Sequence, residues 1–180
     1  LPDNVFKNLT SLTTVTFPAD SALKTIGVSA FYFCSNLGAI AIPRNVTSIG
    51  SSAFESSGLE SFSVPESVVN IYTLAFANCA NLVSVTFSCR SSAIIALGAF
   101  DGSAEIVSVF LPSSASYTGA GVKDRQPLTC CPSGKFSVTG DNLSFCGNCP
   151  VGMYNPGHGA LECTECPVGT HFNDGVSCTV

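Results

Sequence analysis

Charged residues are scarce in this chain. Only 11 % of its 180 residues are Asp, Glu, Lys or Arg, against roughly 25 % in an average soluble domain. The chain has seven basic and twelve acidic residues, whereas a surface that binds nucleic acid needs clustered positive charge. We therefore do not expect nucleic acid as a partner. Hydroxyl groups replace the missing charge, since Ser and Thr together occupy 39 positions.

Long apolar runs and catalytic motifs are also missing. No stretch approaches the roughly 20 apolar residues of a spanning helix, so we expect no direct membrane insertion. The sequence contains no metalloprotease, Walker or nucleophile-elbow motif, and we expect neither an enzyme nor a cofactor. The chain opens at Leu1 without an initiator Met or a signal segment, which predicts an internal fragment of a longer protein.

A repeat fills the chain from Leu1 to Pro112. A Phe recurs at a nearly constant interval, and each Phe is followed by a short apolar run. Alternation within these runs is typical of half-buried strands, and a Pro after four of them marks the strand end. The recurring residues are Phe6, Phe31, Phe54, Phe76 and Phe100. The runs are 12–17, 37–42, 59–64, 82–87 and 106–111.

The repeat unit I-G-x-x-A-F-x-x-C-x-N-L-x-x-I-x-I-P resembles the BspA-like class of leucine-rich repeats. Residues 26–43 match it throughout and residues 49–65 match it in part. The resemblance implies a leucine-rich-repeat solenoid with a short parallel β-sheet and an irregular or short-helical convex side. We expect about five strands in residues 1–112, followed by a linker or C-terminal cap over residues 113–129.

The outward positions of the predicted strands form a flat face almost without charge. Interfaces tuned to one protein usually carry Tyr, Trp or Arg anchors, and these positions carry none. Two interpretations stay open: a solvated face that binds nothing, or a face that packs against another protein, a second copy of the chain or a glycan. The candidate interaction residues are Thr14, Thr16, Ser61, Ser63, Ser84, Thr86, Ser108 and Phe110.

Seven of the ten cysteines lie between Cys130 and Cys178. Among the three earlier ones, Cys34 and Cys79 occupy the same position two repeats apart. Two sheet spacings of ~4.8 Å put them roughly 10 Å apart, which is beyond the reach of a disulfide. We therefore expect both to be buried free thiols.

The tail from residue 130 to residue 180 repeats a C-P-x-G head, and a further Cys closes each unit, at Cys146, Cys163 and Cys178. The spacing C-x2-C-x13-C-x2-C from Cys146 to Cys166 is close to that of a zinc ribbon. A segment of this size with so few apolar residues needs covalent cross-links. Disulfides are therefore favoured, with zinc or a redox C-x2-C pair as alternatives.

The C-P-x-G heads resemble the cysteine-rich repeats of ephrin-receptor-like and tumour-necrosis-factor-receptor-like ectodomains. The resemblance implies that the tail is a set of small disulfide-rich β and loop modules. It implies the pairs Cys131 with Cys146, Cys149 with Cys163, and Cys166 with Cys178. Cys89 and Cys130 are left over, and we expect them to pair and tie the tail to the last repeat, although the sequence allows other connectivities.

Three sequons, at Asn8, Asn45 and Asn142, agree with an oxidising compartment. The leading hypothesis is a secreted or cell-surface glycoprotein without enzyme activity that works in adhesion, structure or assembly. One alternative is an ectodomain that recognises a protein or glycan on its concave sheet, and another is an intracellular zinc-containing adaptor. We also expect self-association, because the sheet face has little charge and neither end carries a polar cap.

Overall fold

A computed structural model of the chain describes residues 1–88, 91–103, 108–111, 116–117, 125–127, 131, 133–137, 146–155, 162–172 and 176–179. The chain divides into two compact units, Leu1–Pro127 and Leu128–Val180. Regular structure in these residues consists of short β-strands. Within the same ranges, no helix has the length and apolar character needed to cross a membrane.

The first unit contains two parallel sheets, each built from one strand per repeat. One has five two-residue strands: β1 (Thr25–Ile26), β2 (Ser48–Ile49), β4 (Asn70–Ile71), β6 (Ile94–Ile95) and β8 (Ser116–Tyr117). The other has four longer strands: β3 (Ser61–Val64), β5 (Ser84–Phe87), β7 (Ser108–Leu111) and β9 (Arg125–Pro127). The segment 113–129 thus supplies β8 and β9, which pair with β6 and β7.

The five-stranded sheet is absent from the sequence prediction. Its strands align Ile26 with Ile49, Ile71 and Ile95 in register, and all four isoleucines are at most 5 % exposed. In β1, β2, β4 and β6 the isoleucine is buried and the residue before it is exposed or partly buried. Two residues are too few to produce an alternating pattern, so the sequence shows only a recurring isoleucine.

The two N-terminal runs also depart from the prediction. Residues 12–17 and 37–42 form no strand, and β3 is the edge of its sheet. Run 37–42 contains Gly38, Ala39 and Ala41, and Gly and Ala are depleted in strands because they pack poorly on a pleated surface. The expectation that every run forms a strand is therefore wrong for these two.

The recurring phenylalanines stack into a continuous column through the first unit. Ring centroids of successive Phe residues are 5.2, 5.1, 5.3 and 5.6 Å apart, with interplanar angles of 7° to 18°. Offset stacking at such distances adds to the free energy of burial, by about 0.5–1.5 kcal/mol per pair. The column therefore binds each repeat to the next, and Phe62 packs on it between Phe54 and Phe76.

The backbone around each Phe adopts tight turns instead of a helix. The residues two before and two after Phe31, which are Ser29 and Phe33, have φ of 53° and 57°. Between them, the Phe31 N–H donates to the Ala53 carbonyl of the next repeat at 2.7 Å. The Tyr32 N–H donates to the Ser29 carbonyl and so forms a local turn. The same left-handed pair recurs in the other repeats, at Asn4, Asn8, Ser52, Ser56, Leu74, Asn78, Gly98 and Gly102.

The second unit is a chain of small antiparallel pairs. Strand β10 (Lys135–Ser137) pairs with β11 (Cys146–Asn148), β12 (Met153–Tyr154) with β13 (Thr164–Glu165), and β14 (His171–Phe172) with β15 (Cys178–Thr179). The glycine of each C-P-x-G head has a positive φ, between 81° and 88°. This left-handed backbone explains the glycine of the motif, because other residues adopt it at a cost.

Candidate functional site: a groove across the first three repeats

A groove of about 510 Å³ crosses one face of the first unit. Its size falls within the range of ligand pockets in proteins, roughly 300–1,000 Å³. It crosses the two runs that form no strand and reaches β3. The residues that line it are Thr14, Val15, Thr16, Ala39, Ile40, Ala41, Ile42, Ser61, Ser63, Val64 and Pro65.

Half of the predicted interaction face lies in this groove. Thr14, Thr16, Ser61 and Ser63 line it and are exposed. The register of the sheet places the backbone of Ser84 and Ser108 in line with Ser61, and that of Thr86 and Phe110 in line with Ser63. The side chains of Ser108 and Phe110 lie outside the described part of the chain. The described face therefore extends from the groove to Ser84 and Thr86 on β5.

The floor of the groove is apolar and comes from residues that the sequence assigns to the core. Val15, Ile40 and Ile42 are only partly buried, whereas Phe62 and Val85, at matching positions further along the solenoid, are 2 % and 0 % exposed. The missing ladder between the first three repeats accounts for the difference, because the runs do not close over these side chains. The available sequence signal was the glycine and alanine content of run 37–42. A Cβ added at Gly38 would meet no atom within 4 Å, which agrees with the open groove.

The edge of β3 adds polar backbone groups to the groove. Only one backbone hydrogen bond joins this region to the preceding run, from the Glu60 N–H to the Gly38 carbonyl at 3.1 Å. An edge strand presents N–H and C=O groups that have no partner in the sheet. None of the eleven lining residues is ionisable. The groove can therefore bind through apolar contact and through hydrogen bonds from its hydroxyl and backbone groups.

The two expected free thiols are present in the core, and they have a structural role. Cys34 and Cys79 are free and buried. The Cys34 Sγ donates to the Phe6 carbonyl at 3.1 Å, and the Cys79 Sγ donates to the Phe54 carbonyl at 3.0 Å. Burial raises the pKa of both thiols above the ordinary value. Both groups are therefore held as neutral hydrogen-bond donors.

Serine takes the place of cysteine in other repeats. The Ser103 Oγ donates to the Phe76 carbonyl at 2.7 Å and accepts from the Cys79 N–H at 3.0 Å. Three residues after their Phe, Cys34, Cys79 and Ser103 thus each donate to the carbonyl of the preceding Phe in the column. This arrangement gives the cysteines a structural explanation, and no other chemistry is needed to account for them.

The tail cysteines form disulfides. The structure has Cys131–Cys146, Cys149–Cys163 and Cys166–Cys178, with Cα separations of 5.4 to 5.7 Å, and these are the pairs that the resemblance implies. Cysteines in disulfides supply no thiolate for zinc, and no cluster of metal-ligating side chains occurs in the described ranges. Cys89 and Cys130 lie outside the described residues.

Two of the three sequon asparagines can be placed. Asn8 is exposed, with a φ of 64°. Asn45 is partly buried, and its Nδ2 donates to the Ser21 carbonyl of the preceding repeat at 2.8 Å. Asn142 lies outside the described part of the chain. The structure thus separates an accessible sequon from one whose amide already holds two repeats together.

Stacked repeats that share a column of recurring Phe residues and contribute strands to parallel sheets define a leucine-rich-repeat solenoid. The family model described as BspA type Leucine rich repeat region matches residues 1–122 in six copies. The chain therefore belongs to the BspA-type leucine-rich repeat family. A second model, tyrosine-protein kinase ephrin type A/B receptor-like, matches residues 134–177. These matches confirm both resemblances seen in the sequence.

Two solved structures are similar to the chain. The leucine-rich repeat protein of T. pallidum is 31 % identical with a TM-score of 0.56, and the match covers 62 % of this chain and 51 % of that one. A leucine-rich repeat protein from Bacteroides ovatus is 26 % identical with a TM-score of 0.59, over 69 % and 33 % of the two chains. The chain thus spans about half or less of the length of these structures. Among curated proteins, none matches.

Proposed function

We propose that this chain is a non-enzymatic protein-binding element of an extracellular or cell-surface protein, acting in adhesion or assembly. Leucine-rich-repeat families are typically non-enzymatic scaffolds that bind other proteins. The observation that carries the proposal is the uncharged groove across the first three repeats, which continues into the face of the four-stranded sheet. Partner binding through this face follows from its apolar floor and exposed strand edge.

The extracellular location rests on the cross-linked tail. Three disulfides within residues 131–178 persist in oxidising compartments and are rare in the cytosol. The match to an ephrin-receptor-like model points the same way. The pairing of Cys89 with Cys130 belongs to this proposal, and non-reducing peptide mapping of the protein from its source tests it. Free thiols at the six tail cysteines would contradict the location.

The role of the face is tested by charge insertion. Ser61→Lys with Ser84→Lys puts two adjacent positive charges on the groove face, where the sheet pairs these residues. Thr25→Lys with Ser48→Lys is the matched control, because these residues are also paired on neighbouring strands, but in the other sheet. In both pairs the first residue is exposed and the second is partly buried.

Two measurements compare the wild type with the face variant and the control variant. Sedimentation over a wide concentration range measures self-association, and aggregation of beads coated with the chain measures adhesion between copies. We expect the wild type to associate, the control variant to associate equally, and the face variant to lose association. A strictly monomeric wild type that also fails to aggregate beads would exclude assembly of like chains. Equal association of both variants would exclude the groove face as the contact.

A further inference from the structure

We propose that Asn8 carries an N-linked glycan whose first sugar stacks on the exposed ring of Phe33. This inference rests on the extracellular location proposed above and goes beyond it, because it assigns a modification site and a carbohydrate contact away from the groove. Two independent observations carry it. One is the exposure of the whole sequon at Asn8, and the other is an aromatic residue beside it that neither the turn nor the core explains.

The sequon has a fixed backbone and open side chains. Asn8, Leu9 and Thr10 are all exposed. The Asn8 N–H donates to the Tyr32 carbonyl of the next repeat at 2.8 Å, and the Thr10 N–H donates back to the Asn8 carbonyl at 3.0 Å. A sugar on the Asn8 amide would therefore start from a well-defined place on the surface of the first unit.

Phe33 is the unusual residue at its position in the repeat. The residue two after each column Phe has a left-handed backbone, and the other repeats place Asn8, Ser56, Asn78 and Gly102 there. Small polar residues and glycine tolerate this conformation. Phe33 adopts it with a φ of 57°, which is costly for a bulky side chain, and it remains 47 % exposed. Neither backbone preference nor burial accounts for an aromatic residue here.

The stacking of the repeats places Phe33 directly beside Asn8. Both residues follow their column Phe by two positions, and their φ values are 57° and 64°. Each N–H donates to a carbonyl of the following repeat, at 2.9 and 2.8 Å. Because the two backbones are alike, their Cα–Cβ bonds leave the chain in the same direction. The spacing between them is that of adjacent repeats, whose column rings Phe6 and Phe31 lie 5.2 Å apart.

This spacing suits a sugar ring stacked on a phenyl ring. A pyranose exposes C–H hydrogens on one face, and the face of an aromatic ring is negative and attracts them. The sugar on an asparagine amide begins about as far from the backbone as the outer half of a phenyl ring. The Phe33 ring also has a neighbour in Tyr32, whose centroid is 6.3 Å away and whose ring lies 5.0 Å from the Lys7 Nζ.

The modification is a glycosyl transfer to a sequon asparagine. The donor is an oligosaccharide joined to a lipid pyrophosphate through C1 of N-acetylglucosamine. The bond between the Asn8 Nδ2 and C1 forms, the bond between C1 and the pyrophosphate oxygen breaks, and the lipid pyrophosphate leaves. The amide loses one proton and keeps the other.

The test compares four proteins secreted by the same eukaryotic cells, which make only high-mannose glycans. These are the wild type, Phe33→Ser, Thr10→Ala and the double variant. Thr10→Ala removes the sequon but keeps Asn8, and Phe33→Ser installs the residue that the equivalent position carries at Ser56. An endoglycosidase trims each glycan to one N-acetylglucosamine, and peptide mapping identifies the modified asparagines. The other two sequons are common to all four proteins.

Thermal unfolding measures the contribution of the contact. We expect the wild type to have a Tm for the first unit about 2–4 °C above that of Thr10→Ala. Between Phe33→Ser and the double variant, the difference should be less than about 1 °C. The gain from the glycan thus depends on the ring, which an effect of the sugar on solvation alone would not produce.

The nuclear magnetic resonance signals of the ¹³C-labelled sugar report the contact directly. The ring current of Phe33 should move the C–H signals of the Asn8 sugar upfield in the wild type. The upfield shift should disappear in Phe33→Ser and persist in Phe33→Tyr, which keeps the aromatic face. A loss of protein stability alone would not produce this pattern.

Three results would overturn the inference: a bare Asn8 in the secreted protein or in the protein from its source, an equal gain in Tm with and without Phe33, or sugar signals that do not change in Phe33→Ser. A bare Asn8 in a protein whose tail disulfides are formed would remove only this contact and leave the proposed location intact. Free thiols in the tail would contradict the location itself.

Discussion

At Cys79, a buried thiol performs the task of a hydroxyl. Its Sγ donates to the Phe54 carbonyl and lies 3.4 Å from the Ser57 Oγ, and Ser103 makes the equivalent bond one repeat further on. We expect Cys79→Ser to change the free energy of unfolding by less than about 1 kcal/mol, and Cys79→Ala, which removes the donor, to cost about 1–3 kcal/mol. Urea denaturation of both variants measures this.

The same thiol predicts a dependence on alkaline pH. Burial raises the pKa of Cys79 above its ordinary value of 9.0, so the thiol ionises more readily in the unfolded chain than in the folded one. The stability that it contributes is complete below about pH 9 and is lost as the pH rises further. The Cys79→Ser variant should lack this part of the loss of stability at alkaline pH. Identical pH profiles of the two proteins between pH 8 and 11 would contradict it.

Asn45 provides a second prediction at a single residue. Its Nδ2 donates to the Ser21 carbonyl, so Asn45→Asp would place a carboxylate oxygen against a carbonyl oxygen. We expect a loss of about 1–3 kcal/mol, while Asn8→Asp, at an exposed position, should be nearly neutral. Thermal unfolding compares the two. Equal stability of the variants would show that the Asn45 amide does not join the repeats.

At the scale of the element, close contact between repeats depends on glycine at some positions and not at others. A Cβ on Gly58 would lie 2.2 Å from the Ser35 carbonyl oxygen of the preceding repeat, whereas a Cβ on Gly38 would meet nothing within 4 Å. We expect Gly58→Ala to destabilise the first unit by about 1–3 kcal/mol.

Gly38→Ala is the matched control for this change, because it adds the same methyl group one repeat earlier. It should be neutral or stabilising by up to about 1 kcal/mol, since it restricts the unfolded chain. Chemical denaturation of the two variants tests the difference. A destabilised Gly38→Ala would mean that residues 37–42 pack more closely than the open groove allows.

The elements also show what the sequence can and cannot predict. A Phe at a nearly constant interval along the chain was sufficient to identify the solenoid, because stacking requires the same large residue at the same place in each repeat. The sheet containing Ile26 and Ile49 was missed, since two-residue strands have no period. The groove was missed because every run carries the same alternation, and only Gly38 and its alanine neighbours distinguish run 37–42.

Different interactions stabilise each of the two units of the molecule. The first has a continuous core of buried Phe, Ile, Leu and Val side chains. In the described part of the second unit, the residues that are less than a tenth exposed are Cys131, Cys149 and Asn155. The Asn155 Nδ2 donates to the Lys135 carbonyl at 2.7 Å. The backbone carbonyl of Asn155 accepts from the Gly134 N–H. The second unit therefore depends on its disulfides and these polar bridges.

Reduction of the intact chain should separate these two kinds of stability. Each tail disulfide closes a loop of 12 to 15 residues, and a loop of this size contributes about 3 kcal/mol in the chain-entropy model. After reduction, amides in residues 131–178 should exchange with solvent at unfolded rates, while those of Phe31, Phe54 and Phe76, which donate between repeats, should stay protected. Hydrogen exchange read by mass spectrometry measures both units in one sample, with the unreduced chain as control. Persistent protection of the tail without its disulfides would show that apolar packing, and not covalent cross-linking, stabilises the second unit.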